Sequence, residues 1–248
     1  MYNVWNIPGG TYSRLYDELL SKPHVLVAGA TGSGKSIVVN GLIYTALYRT
    51  PGKARFILID PKRVELKDYA ALPHTITHAA GHNPAAWEKA LKTACDIMDS
   101  RYNSMRGKQY DGSDIYVIID EFADIKKSGG RNCYNMVLRL LSEGRAAKVH
   151  CIIATQVPNA QILPTECRGN ISYRIALRTQ NKTESRIIMD CAGCEDLPDF
   201  GYGYYVKPGR NGLQLYKIPY TDQKEIERLI DFWQHNSKPK RHLFKPAI

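Results

Sequence analysis

Residues 24–36 read HVLVAGATGSGKS. An apolar run, Val25-Leu26-Val27-Ala28, meets Gly29-x-x-x-x-Gly34-Lys35-Ser36. That is the phosphate-binding loop pattern in the setting it requires, with a strand before it and a helix after it. Backbone N–H groups must wrap an anionic triphosphate closely, so glycines at 29, 32 and 34 remove side chains from the approach. Residues 29–37 (Gly29, Ala30, Thr31, Gly32, Ser33, Gly34, Lys35, Ser36 and Ile37) are the candidate nucleotide-binding segment. Lys35 supplies a point charge to the β and γ phosphates, and the Ser36 hydroxyl is a ligand for Mg²⁺. The helix that starts here aims its N–H groups and positive dipole end at the same phosphates. ATP and Mg²⁺ are therefore the expected ligands.

Working outward, further apolar runs end in polar residues. Ala54–Ile59 ends in Asp60-Pro61-Lys62, and Ile115–Ile119 ends in Asp120-Glu121. A third run, at 149–154, ends in Thr155-Gln156. Strands alternate with amphipathic helices at 35–48, 84–106, 132–146, 181–191 and 222–235, with shorter helices near 11–21, 64–70 and 159–166. This alternation predicts an α/β fold with a mainly parallel sheet and helices on both faces. Continuous apolar strands are what such a sheet buries. Residues 199–218 are rich in Gly and Tyr and read as a hairpin around Pro208–Gly212.

In a parallel sheet, ligands bind at the carboxyl ends of the strands. Asp120 is placed there to hold Mg²⁺ with Ser36. Glu121 is the candidate general base, or water-orienting group, for attack on the γ-phosphate. Gln156 is the candidate sensor of that phosphate.

The 248 residues carry 34 Lys and Arg against 24 Asp and Glu, a net charge of +10, which suggests a polyanionic partner. No apolar run approaches the ~20 residues that span a bilayer. The first 20 residues lack the basic start and apolar core of a signal peptide. A soluble, cytoplasmic protein is expected. The six cysteines are too sparse for a disulfide framework. Cys191-x-x-Cys194 has no second pair at zinc spacing, and Cys151 reads as core.

Taken in order, HVLVAGATGSGKS, FILIDPK (56–62), VIIDEFADI (117–125), GRAAKVHCIIATQVP (144–158), NISYRIAL (170–177) and SRIIMD (185–190) resemble the motor domain of the FtsK/SpoIIIE family. The resemblance runs from about residue 20 to 235. It implies a RecA-like P-loop NTPase fold, a homo-hexameric ring, and ATP hydrolysis coupled to translocation of double-stranded DNA. It also implies an arginine acting on a neighbouring subunit's γ-phosphate, with Arg174 matching that position and Arg145 the alternative. The family's DNA-contacting loops match Arg186 and the hairpin tip, where Lys207 and Arg210 are the candidate phosphate contacts. Val157 stands where the family commonly has a basic residue. The expected organisation is a lead-in (1–22), a motor domain (23–236) and a basic tail (237–248). That describes a compact member without membrane-spanning or winged-helix parts, loaded onto DNA with help from a recruiting protein. The alternative is a related conjugative coupling ATPase or a type VII-like secretion ATPase.

Overall fold

The computed structural model describes residues 14–105, 110–171, 173–206 and 212–236. Its centre is one eight-stranded sheet of order β3-β2-β4-β5-β1-β6-β7-β8. The strands are β1 (His24–Ala28), β2 (Arg55–Asp60), β3 (Thr75–Ala80), β4 (Ile115–Ile119), β5 (Val149–Thr155), β6 (Tyr173–Ala176), β7 (Tyr202–Val206) and β8 (Gln214–Lys217). The first six pair in parallel, and β7 and β8 add an antiparallel hairpin at one edge. The tip of that hairpin, 207–211, lies outside the described residues.

Side chains of each strand alternate between two cores, as period-two geometry demands. Leu26 and Ala28, Ile57 and Ile59, and Val117 and Ile119 face one core. Val25 and Val27, Phe56 and Leu58, and Tyr116 and Ile118 face the other. Helices α3 (Pro84–Met105), α4 (Phe122–Ser128), α5 (Gly130–Glu143), α6 (Thr165–Gly169) and α7 (Lys182–Met189) close the first core. Helices α1 (Arg14–Leu20), α2 (Lys35–Arg49) and α8 (Gln223–Asn236) close the second.

Several expectations are corrected. The segment near 64–70 is not a helix but a loop ending in a 3₁₀ turn, Asp68–Ala71. The strand after it, TITHAA, escapes sequence reading because its edge position leaves four of its six side chains partly exposed. The helix expected over 132–146 is preceded by a separate one, α4. The chain breaks at Gly129-Gly130, where Gly130 has φ 73°, a conformation only glycine adopts freely. The helix expected near 159–166 starts only after Pro164. Helix α1, placed in a lead-in by sequence, buries Leu15, Tyr16, Leu19 and Leu20 in the second core.

Helix α8 also covers the 3₁₀ turn. Gln223 Nε2 donates to Asp68 Oδ2 at 2.8 Å and Gln234 Nε2 to Ala71 O at 3.3 Å. The Trp233 ring meets His74 edge-on at 4.7 Å.

His24 opens β1 fully buried, and its Nδ1 accepts the Cys151 N–H at 3.0 Å. Charging this ring would require that nitrogen to take a proton. Burial, and then His150, push its pKa from 6.5 down to about 3. The unfolded chain therefore binds the extra proton first, so the contribution to stability is present above about 6.5 and is lost as pH falls toward 3. The slope is up to about 1.4 kcal/mol per pH unit. Urea unfolding across this window should show a shallower loss for His24→Asn than for the wild type.

Candidate nucleotide and phosphate-transfer site

The order of the strands assembles the site. β5 lies between β1 and β4, so Thr155-Gln156 emerges between the phosphate loop and Asp120-Glu121. The loop itself is pinned to the end of β6. Ala30 N donates to Arg178 O at 2.8 Å, and Leu177 N to Ala28 O at 2.8 Å. Gly29 has no room for a side chain, since a Cβ there would meet Leu177 Cβ at 2.7 Å. Gly32 and Gly34 have φ 78° and 100°, and a Cβ on either would meet nothing within 4 Å. Their glycines therefore answer to backbone conformation, and the space before them is open. Gly34 caps α2 without a side-chain hydrogen bond, leaving N–H groups for a ligand.

Lys35 is buried, with Nζ donating to Gly29 O and Ala30 O at 2.9 Å each. Burial lowers its pKa to about 8, while Glu121 and Asp120 oppose that shift. Asp120 moves the other way: burial, then Glu65, Asp60 and Glu121, raise it to about 7. Its carboxylate accepts no hydrogen bond among the described residues. A cation would relieve the crowding of acids, which is the observation that makes this place fit Mg²⁺. No cluster of three or more His, Cys, Asp or Glu among the described residues could hold a metal alone. A cation held by Ser36 and Asp120 would take its other ligands from phosphate and water.

Glu121 is far more constrained. Its side chain caps α4, with Oε1 accepting from Ala123 N at 3.3 Å. Oε1 also accepts from Thr155 Oγ1 at 2.7 Å, and both oxygens accept from Gln156 N at 3.2 Å. Lys62 Nζ lies 3.3 Å from Oε2. Gln156 Oε1 in turn accepts from Thr31 Oγ1 of the phosphate loop at 2.9 Å. Sequence reading found Glu121 and Gln156 but assigned no role to Lys62, Thr155 or Thr31 in holding them. Lys62 and Thr155 were both visible as polar residues closing apolar strands.

Beside the loop lies a cleft of about 430 Å³, lined by Thr31, Ser33, Arg178, Gln180, Glu195 and Phe200 among others. Phe200 is 71% exposed, and Arg178 pairs with Asp199.

The other described candidates, Arg174, Arg145 and Arg186, stand away from this site. Arg174 sits mid-strand on β6, donating to Ile188 O at 2.9 Å and to Asp190 Oδ2 at 2.8 Å. Arg145 lies just before β5, at the end of the strands opposite the site. Arg186 is exposed on α7. Lys207 and Arg210 fall outside the described residues. All six cysteines are free; Cys151 and Cys194 are buried and Cys191 is exposed.

A model of the FtsK/SpoIIIE family matches residues 9–116. A DNA translocase FtsK from Helicobacter pylori (strain J99) is 33% identical over 232 residues, covering 87% of this chain and 27% of the relative. One from Pasteurella multocida is 32% identical, covering 90% and 28%. The chain belongs to the FtsK/SpoIIIE family. It spans about a quarter of the length of these relatives.

Among solved structures, the pCW3 conjugation coupling protein TcpA with ATPγS superposes with a TM-score of 0.73 at 21% identity, covering 86% of this chain and 66% of that one. ATPases 2 and 3 of EssC from Geobacillus thermodenitrificans give 0.71 at 20% identity, covering 92% and 47%. The RecA-like P-loop fold expected from sequence is thus the observed one. Among the described residues, no helix is long and apolar enough to cross a membrane.

The Thr155 hydroxyl is fully buried and bonds Glu121 directly. Thr155→Val keeps the shape and leaves a carboxylate oxygen short of a donor. Urea unfolding should show a loss of about 1–3 kcal/mol.

Proposed function

We propose that this chain is an ATP-hydrolysing motor that translocates double-stranded DNA. One observation carries the proposal: Lys35, Asp120, Glu121 and Gln156, from three separate strand ends, converge on one site in a member of the FtsK/SpoIIIE family. In this reading residues 29–37 wrap the triphosphate, and Lys35 turns from its own loop carbonyls to the β and γ phosphates. Ser36 and Asp120 hold Mg²⁺, which supplies charge neutralisation at the transferring phosphoryl group. Glu121 orients the attacking water, and Gln156, tied to Thr31, registers the γ-phosphate. The cleft beside Phe200 receives the nucleoside.

The DNA partner is supported by the +10 charge and by the family. Arg186, Lys207 and Arg210 are the proposed phosphate contacts. A ring of six copies, working in the cytoplasm, would place an arginine at the neighbour's site. For Arg174 to serve, it would first have to leave Asp190. The proposed organisation keeps 23–236 as the motor, with α1 contributing to its core, and 237–248 as a basic tail. A recruiting protein would bring the ring to DNA.

The deciding measurement is ATP turnover with and without duplex DNA at low salt, where phosphate contacts are strongest. DNA should stimulate turnover. Turnover that duplex leaves unchanged would favour the coupling or secretion ATPase reading. Glu121→Gln should retain ATP binding and lose at least ~100-fold in kcat. The Lys207→Ala, Arg210→Ala double variant should lower the slope of log affinity against log salt by about two. An unchanged slope would remove these residues from the DNA path.

A further inference from the structure

Lys62 follows β2 in the sequence Asp60-Pro61-Lys62. Its side chain is 41% exposed, whereas the Glu121 side chain it pairs with is 3% exposed. The ammonium therefore sits at the mouth of the site, half in solvent, over a buried carboxylate. Its charge is felt by both Lys35 and Asp120, so it faces the phosphate loop and the proposed Mg²⁺ position together.

The two oxygens of Glu121 are held differently. Oε1 is fixed by Thr155 Oγ1, Ala123 N and Gln156 N, all on sheet or helix termini. Among the described residues, Oε2 shares the Gln156 N–H and otherwise has only the long, flexible Lys62 side chain. Removing Lys62 would free one oxygen without moving the carboxylate. A terminal phosphate offers the ammonium more negative charge than a carboxylate does, and charge-assisted bonds to phosphate are strong. Lys62 can exchange one anion for the other, while Glu121 keeps its backbone donors.

We propose that Lys62 is a γ-phosphate-responsive latch on Glu121. It occupies Oε2 until a triphosphate draws the ammonium away, and Oε2 is then free to orient the attacking water. The latch rests on the ATP-hydrolysis reading above. It makes Lys62 a discriminator between ATP and ADP, since ADP lacks the group that opens the latch. It also limits the activity of Glu121 toward water when no terminal phosphate is bound.

The experiment uses the full chain with Mg²⁺. Affinities are measured for ADP and for a nonhydrolysable ATP analogue, together with kcat and KM for ATP. Lys62→Met should weaken the analogue by about tenfold or more, while ADP affinity changes by less than about twofold. Its kcat should fall by far less than that of Glu121→Gln, since Oε2 is open without the lysine. Lys62→Arg, which keeps the charge, should restore most of the analogue's affinity. Lys62→Gln should show the same discrimination as Lys62→Met, and replaces it if the methionine variant does not fold. Equal weakening of ADP and analogue, or a kcat in the uncharged variants that falls as far as in Glu121→Gln, would overturn the latch. A wild type that hydrolyses no ATP would overturn the motor reading instead.

Discussion

Desolvation of like charges at the carboxyl ends of β2 and β4 is the constraint on which this site depends. Asp60, Glu65, Asp120 and Glu121 approach one another where strands end and water is scarce. Carboxylates in such a place are costly unless cations or hydrogen bonds meet them. The chain meets them unequally. Glu121 receives hydroxyl, backbone and ammonium donors. Asp60 caps Leu66 N with one oxygen. Asp120 receives none among the described residues, and burial beside other acids raises its pKa. The arrangement is electrostatically incomplete in one place, where a divalent cation would complete it. Lys35, buried and depressed, is the matching incompleteness on the other side.

The rest of the fold serves to hold that imbalance steady. Two cores clamp the strands from both faces, and the alternation of Leu26 with Val25, or Ile119 with Ile118, fixes which side each residue meets. A shift of one residue in β4 would turn Asp120 and Glu121 to opposite faces. The five-residue register between β4 and β5 therefore also sets the distance from Glu121 to Thr155.

Much of this was legible in the sequence where one local rule dominates. The phosphate loop, the apolar strands β1, β2, β4 and β5, and the acids closing β4 follow from pattern alone. What was lost was decided by tertiary context. β3 carries Thr and His because it lies at an edge. The break between α4 and α5 depends on Gly130 taking a positive φ, which composition suggests only as a turn. Arg174 matched a family position, yet its ion pair with Asp190 comes from the packing of α7 on β6. Lys62 could not be paired with Glu121 from sequence, since 59 positions separate them and only the β2–β4 pairing brings them together.

Helix α8 reaches the loop that borders this site. It grips the 3₁₀ turn through Gln223, Gln234 and the Trp233–His74 contact. That turn lies a few residues beyond Lys62 on the same loop. Any displacement of α8 would therefore reach the segment carrying Lys62. The grip of α8 and the cation over Glu121 share one short stretch between β2 and β3.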